Sequence, residues 1–575
     1  MSARLTLHLA GWEAALDELV LRAQDERWAE RLFDRDTTLW TDDPDVAAAI
    51  ADRLGWLDAP AHFAVQAAAL EGFGDGVRET GFDTAVVMGM GGSSLAPDVF
   101  HRTFGTIEDY LELRILDSTD PAAVSAVVDD LDPLETLWIV ASKSGTTTEP
   151  LAFLAEAWSR VEAELEGRGS DQRPGEFFAA ITDPDKSLAA IPHHNELRER
   201  FLNPPDVGGR YSALTYVGLV PASLIGIDID SLLGAGAEML AACREPGARA
   251  NPGLLLGLVI GGLARDGRDK LTFLADPAIA GFGAWAEQLI AESTGKHGVG
   301  IVPVDLEPLR AAAGYGSDRA FVHLSLVDGD GAARRDRERL LDELRAAGQP
   351  VIEIELDDPI DLAGEMARWE VATAFAGAVL GIDPFDQPNV EDAKERTRRV
   401  LAGAGSGDGA ADDSDSSTDD DGDGGIRLAA YDADSLADVL RPTLQALAIP
   451  NYVCIQAFIA PSPEVDAGIA RIRTALGRTG CATTAGYGPR FLHSTGQLHK
   501  GGPPTGVFLQ LTAEHPVDRP IPGWPYTFGE LIDAQARGDR EALRAHDRAV
   551  VQVHLGRDLI DDLGTLARAV EAALA

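Results

Sequence analysis

Short runs of consecutive apolar residues, each followed by a turn rich in Gly, Ser, Thr or Asp, constrain this chain more than any other feature. A first series comprises Ala85–Met88, Leu113–Leu116, Leu137–Ala141 and Phe177–Ile181. A second comprises Leu271–Leu274, Ile301–Val304, Phe321–Val327, Val351–Leu356, Tyr452–Ile459 and Val507–Leu511. Strands that are apolar on successive positions are buried on both faces, and their alternation with helical stretches is the pattern of a parallel sheet covered on each side. The expected fold class is therefore α/β, with two doubly wound parallel-sheet lobes and helical N- and C-terminal extensions. Residues 1–65 read as the helical N-terminal extension, 66–245 as the first lobe, 246–530 as the second, and 531–575 as a helical tail. Within the second lobe, residues 403–425 contain Gly, Ser and Asp but no large apolar residue. Such a segment cannot bury enough surface to offset its ordering entropy, so it reads as a disordered insertion without a catalytic role.

Charge and composition remove several classes of function. A net charge of −44 argues against nucleic acid, because phosphate backbones are bound by an excess of lysine and arginine. It leaves room for a small phosphorylated substrate, which needs only local positive potential. Eight aspartates fall between Asp408 and Asp423, yet the chain stays strongly acidic without them, which suits solubility or salt tolerance. Glu13, Asp17 and Glu18 interrupt the opening segment where a signal peptide needs an apolar run. The longest apolar stretch, around Leu254–Leu263, is short of the roughly 20 residues that span a bilayer. The three cysteines, Cys243, Cys454 and Cys481, are far apart and show no CxxC spacing, and no HExxH occurs. A cytoplasmic protein without metal, cofactor or membrane association is expected.

In open α/β sheets ligands bind at the carboxyl ends of the strands. The first such turn is MGMGGSSLAP, with Gly89, Gly91, Gly92, Ser93 and Ser94. Its glycines permit close backbone approach, and the helix that follows offers unpaired amides to an anion. A dinucleotide fingerprint would need glycine where Ser94 stands, although Asp117 does end the next strand. The turn IVASKSGTTTEP places Ser142, Lys143, Ser144, Thr146 and Thr147 before a helix that Pro150 suits. Four hydroxyls, a lysine and a helix N-terminus make a site for a phosphate monoester; helix capping alone would need one hydroxyl. Farther along, Phe282, Trp285, Ala286, Leu289 and Ile290 form an apolar helix stripe ending at Gly295. Gln288 and Glu292, four residues apart, share a face at its edge, where the helix end and apolar surroundings disfavour a charged Glu292.

The segments GGSSLAP and SKSGTTTEP resemble the paired signatures of sugar isomerase (SIS) domains, which hold phosphosugars. VGGRYSALTYVGL (Val207–Leu219), GAWAEQLIAESTGK (Gly283–Lys296) and GIDPFDQPNVEDAK (Gly381–Lys394) resemble, in order, signatures of the glucose-6-phosphate isomerase family. The resemblance implies interconversion of glucose 6-phosphate and fructose 6-phosphate through a cis-enediol(ate), with Glu292 as the base and Arg210 stabilising developing negative charge. It implies Lys394 near the ring oxygen, Gln288, Gly92, Ser93 and the hydroxyl loop around the substrate, and a homodimer. The family's histidine motif is missing between Glu292 and Lys394. FLHSTGQLHKGGP (Phe491–Pro503) is similar to the HSxGQ motif of some bacterial members, which assigns the role to His493, with His499 as the alternative. This displaced order resembles the isomerase half of fused transaldolase–isomerase proteins. Two other readings are an isomerase that also takes mannose 6-phosphate, and a non-catalytic SIS-domain regulator. The regulator predicts loss of the base or the arginine, and both residues are present.

Overall fold

In the computed structural model, which describes residues 3–329, 331–404 and 425–575, the strands assemble into three five-stranded sheets. The first contains β2 (Thr84–Gly89), β3 (Glu112–Leu116), β4 (Thr136–Ala141), β5 (Phe178–Thr182) and β6 (Glu199–Leu202), all parallel, in the order β3-β2-β4-β5-β6. The second joins β7 (Lys270–Ala275), β8 (Val302–Val304), β9 (Arg319–Leu326) and β10 (Val351–Leu356) to the N-terminal strand β1 (Ala3–His8), in the order β1-β10-β9-β7-β8. There β1 runs antiparallel on the β10 edge. The third contains β11 (Ile426–Arg427), β12 (Tyr452–Phe458), β13 (Ala482–Tyr487), β14 (Gly506–Ala513) and β15 (Ala549–Leu555), all parallel, in the order β11-β15-β14-β12-β13. The winding is the same in each. A central strand (β2, β7 or β12) has its successor on one side and the next strand on the other, which opens a crevice at the carboxyl ends.

Every expected strand is present, and β2, β4 and β12 are buried along their whole length. Two boundaries differ from the sequence reading. The span 246–530 holds strands of two sheets, and the 531–575 tail contains β15 between the helices Phe528–Ala545 and Leu559–Leu574. The reason is compositional. β6 (ERFL) is largely exposed, β11 has two residues, β13 (ATTAGY) has no apolar run, and β15 (AVVQVHL) is a short run between two long helical stretches. The N-terminal extension is helical after β1. The insertion expected at 403–425 lies, from 405 to 424, outside the described residues.

The first two sheets share one apolar core, which includes Trp28, Trp138, Phe153, Trp285 and Trp369, whereas the third sheet builds its own around Ile455, Leu511, Val553 and Leu566. The third sheet also packs on the second through a buried cluster in which Val302 and Val304 of β8 meet Tyr452, Cys454, Ala482 and Phe508, and it reaches the first sheet through side chains of its loops and helices. Phe153 stacks on Phe528 with ring centroids 6.1 Å apart, Arg519 reaches Glu156 at 3.0 Å, and Arg490 meets Asp117 at 3.5 Å. These contacts bring the carboxyl-end loops of the third sheet against those of the first.

Candidate active site

The helix Phe282–Thr294 closes on Gly295 as its pattern predicts, and its buried surroundings fix Glu292 where the three sheets meet. Glu292 Oε1 lies 3.2 Å from Arg210 Nη1, and Oε2 accepts from Gln288 Nε2 at 3.0 Å. The four-residue spacing on the helix accounts for Gln288 at one oxygen; the fold brings Arg210 to the other. Gln288 also donates to the backbone carbonyl of His493 at 2.8 Å. Gly91, at φ +52°, is packed so closely on that same carbonyl that a Cβ would overlap it.

Arg210 is buried and held from several directions. It donates to Ser293 Oγ (2.7 Å), Gln387 Oε1 (3.0 Å) and the carbonyls of Pro384 (2.9 Å) and Asp386 (3.0 Å). Lys296 pairs with Asp386 from the other side; burial, and then the Arg210 charge, bring its ammonium pKa down to about 8. The 383–387 loop is thus clamped by two cations, and the guanidinium is fixed in position before any substrate arrives.

The hydroxyl loop follows β4. Ser142 Oγ donates to Thr147 Oγ1 at 3.0 Å, and Ser144 and Thr146 hydroxyls are 3.0 Å apart. Thr147 is the N-cap residue of the helix Thr148–Arg168, yet its side chain makes no capping hydrogen bond. The Thr147 hydroxyl is therefore left on the cavity lining beside the Thr148 amide, which suits an anion, while Pro150 contributes no N–H. Lys143 is turned away from the hydroxyls: its Nζ donates to Asp183 (2.6 Å) and the Pro205 carbonyl (2.8 Å). Burial pushes the Asp183 carboxyl up, against the pull of that lysine. Arg53, from the N-terminal extension, reaches the same wall because Leu54 bridges to Val207 and the Gly55 amide donates to Asp206 O at 3.0 Å.

His493 follows β13 and turns its ring to the first sheet, with Nε2 3.1 Å from Glu149 Oε1. Burial opposes ionisation of Glu149, but the charge and hydrogen bond of His493 outweigh it, and the carboxyl sits below its usual range. Glu149 stands in the SKSGTTTEP motif, although its sequence shows only a first-turn acidic residue. Lys394 lies on the helix Val390–Ala404, which packs on the third sheet's helix so closely that a Cβ on Gly538 would overlap Thr397.

A cavity of ≈ 620 Å³ gathers the expected residues: Gly92, Ser93, Ser142, Lys143, Ser144, Thr146 and Thr147 from the first sheet's turns, Arg210, Gln288 and Glu292, and Lys394 and His493. His499 does not belong to it. Its ring is buried between Phe491 and Phe508, 3.6 Å from Cys454 Sγ, beside a separate cavity of ≈ 40 Å³, and burial holds its pKa well below the usual value. Asp117, the acid a dinucleotide ribose would need, is engaged by Arg490.

Residues 35–306 match the family model described as phosphoglucose isomerase. Glucose-6-phosphate isomerase of Rubrobacter xylanophilus is 30% identical over 374 residues, covering 56% of this chain and 83% of that protein. A probable glucose-6-phosphate isomerase of Natronomonas pharaonis is 32% identical over 363 residues, covering 56% and 81%. This chain belongs to the phosphoglucose isomerase family. Among solved structures, a glucose-6-phosphate isomerase of Chlamydia trachomatis shares the fold (TM-score 0.51, 22% identity, 66% of this chain and 78% of that one). A hypothetical protein of Thermus thermophilus does so too (TM-score 0.58, 24% identity, 69% and 100%). In this member of the phosphoglucose isomerase family, the matched span carries Arg210, Gln288, Glu292 and the hydroxyl loop, whereas Lys394 and His493 lie beyond it. No helix among the described residues is long and apolar enough to cross a membrane.

Proposed function

We propose that this chain interconverts glucose 6-phosphate and fructose 6-phosphate, with Glu292 moving the proton between C2 and C1 of the open-chain sugar. The observation that carries this reading is the Glu292 carboxylate beside the fixed Arg210 guanidinium, 3.2 Å away, on the wall of a cavity that also holds an uncapped hydroxyl loop. Seated by its phosphate among Ser142, Ser144, Thr146, Thr147 and the helix N-terminus, the sugar would extend toward Glu292. The carboxylate takes the C2 proton of the aldose as the O2 hydroxyl proton passes to O1, a cis-enediol(ate) forms, and the carbon-bound proton returns to C1 as C2=O forms, giving the ketose. Negative charge grows on the oxygens during this step, and a cation already in place stabilises that growth without reorganising.

The ring form must first open. The C1–O5 bond breaks as O5 gains a proton and the C1 hydroxyl loses one; His493 and Lys394, which line the same cavity as the base, are the pair assigned to this exchange. The position of the histidine after Lys394 in the chain supports kinship with the isomerase half of the fused proteins. A cytoplasmic homodimer is the assembly this reading implies.

The test is conversion of fructose 6-phosphate to glucose 6-phosphate, with EDTA present, by wild type and Glu292→Gln. Wild type should turn over, and the isosteric variant should fall by at least about 10³-fold with its fold intact. Full activity in the variant would remove Glu292 from the role. An inactive wild type that still binds the phosphosugar would make the chain a binding protein.

A further inference from the structure

We infer that Gln535 and Thr119 form a positioning pair that fixes the proton of His493 on Nε2, leaving Nδ1 as the nitrogen that exchanges a proton with the sugar. The inference rests on the assignment of His493 to ring opening. Glu149 Oε1 accepts from Gln535 Nε2 at 2.7 Å and faces His493 Nε2 at 3.1 Å. At its other end, the Gln535 amide oxygen accepts from the Thr119 hydroxyl at 2.7 Å. Thr119, Glu149 and Gln535 are all buried, and Glu149 and Gln535 form part of the cavity lining beside His493.

The polarity of the chain follows from its members. An ionised carboxylate only accepts, so the amide must present its NH₂ to Glu149 and its oxygen to Thr119. The reversed amide would set two acceptors against each other beside a buried charge, a costly arrangement. Thr119 Oγ–H then donates to the amide oxygen and anchors the orientation that the carboxylate selects. With Glu149 held as an acceptor, the nitrogen facing it must carry hydrogen, and a neutral imidazole then keeps its lone pair on the other nitrogen. That lone pair can take the C1 hydroxyl proton while Lys394 supplies the matching proton to O5 as C1–O5 breaks. The imidazolium so formed is stabilised by Glu149.

The three members come from separate places. Thr119 ends the β3 loop, Glu149 opens the helix after β4, and Gln535 sits on the third sheet's helix Phe528–Ala545. The third sheet therefore supplies the histidine and also a residue that orients it. This gives Gln535 a function that no motif in its surroundings displays.

The experiment compares wild type, Gln535→Met, Thr119→Val and the double variant, using ¹⁵N-histidine labelling to read the His493 ring nitrogens, with assignment by His493→Asn. Wild type should show Nε2 protonated and Nδ1 bare, and Gln535→Met, which frees the Glu149 carboxylate to turn from the ring, should show a mixture of tautomers. For glucose 6-phosphate, kcat should fall about tenfold in Gln535→Met with KM within about twofold, the lower range for loss of a partner that orients a functional side chain. Thr119→Val should cost less, and the double variant no more than Gln535→Met, since both act through one chain. Should Gln535→Met not fold, Thr119→Val carries the same spectroscopic test. Wild type protonated on Nδ1, unchanged ring signals in both variants, or additive losses would overturn the inference. Full activity in His493→Asn would instead overturn the ring-opening assignment beneath it.

Discussion

Glu149 and His493 are 344 residues apart in the chain, and their side chains meet at 3.1 Å across the seam between the first and third sheets. An imidazole alone in a cavity wall has two tautomers and a free χ2. Opposite a buried carboxylate it has one orientation, and its charged form has a partner. This part of the cavity wall is thereby tied to the docking of one sheet on another.

Glu149→Gln keeps the shape of this pair and removes its charge. The variant should lose about 10²-fold or more in kcat with glucose 6-phosphate, while KM changes little, because the lost interaction serves the proton transfer more than substrate binding. Steady-state kinetics with circular dichroism as a folding control checks it. Wild-type kcat in a folded variant would show that the carboxylate is not needed.

The hydroxyl loop offers a test that separates anion binding from helix capping. Thr147 occupies the N-cap position without a capping hydrogen bond, so Thr147→Val should change unfolding free energy by less than about 1 kcal/mol. If the loop holds phosphate, the same change should raise KM for fructose 6-phosphate several-fold. A drop in stability with unchanged KM would reverse the assignment and make the threonine a cap.

A pH dependence of stability follows from two carboxyls beneath the site. Burial, and then the charge of Asp305, raise the Glu287 pKa to about 8, and burial raises Asp305 to about 6. Both bind their protons more tightly folded than unfolded, so their contribution is complete below the usual carboxylate range and is lost as pH rises through those values. Melting temperature should fall between about pH 5 and pH 9, and Glu287→Gln should reduce the fall. An undiminished slope in the variant would assign the effect to other groups.

Much of the site was legible because its chemistry is local. Gly92, Ser142, Ser144, Thr146 and Thr147 lie in turns whose position after apolar strands marks them as ligand-facing. Arg210, Gln288 and Glu292 are carried by segments whose composition and spacing specify a glycine turn and an amphipathic helix. Lys143 was legible as a cation in the loop, but its pairing with Asp183 was not, since that partner follows the next strand. His493 and His499 share one short segment, and nothing local separates them. Packing does: one ring reaches Glu149, the other is enclosed by Phe491 and Phe508.

The sequence by itself determined the α/β class, the strands that are apolar throughout, and the turns and helix that carry the cavity-lining residues Ser142, Thr147, Arg210 and Glu292. Tertiary structure alone decided that the strands form three sheets, because β13 and β15 are recruited by pairing with β12 and β14 rather than by their own hydrophobicity. It also decided which histidine faces the cavity and that Gln535 stands behind Glu149. Those relations depend on contacts across hundreds of residues, and such distances are set by the docking of the third sheet on the other two, which no local spacing encodes.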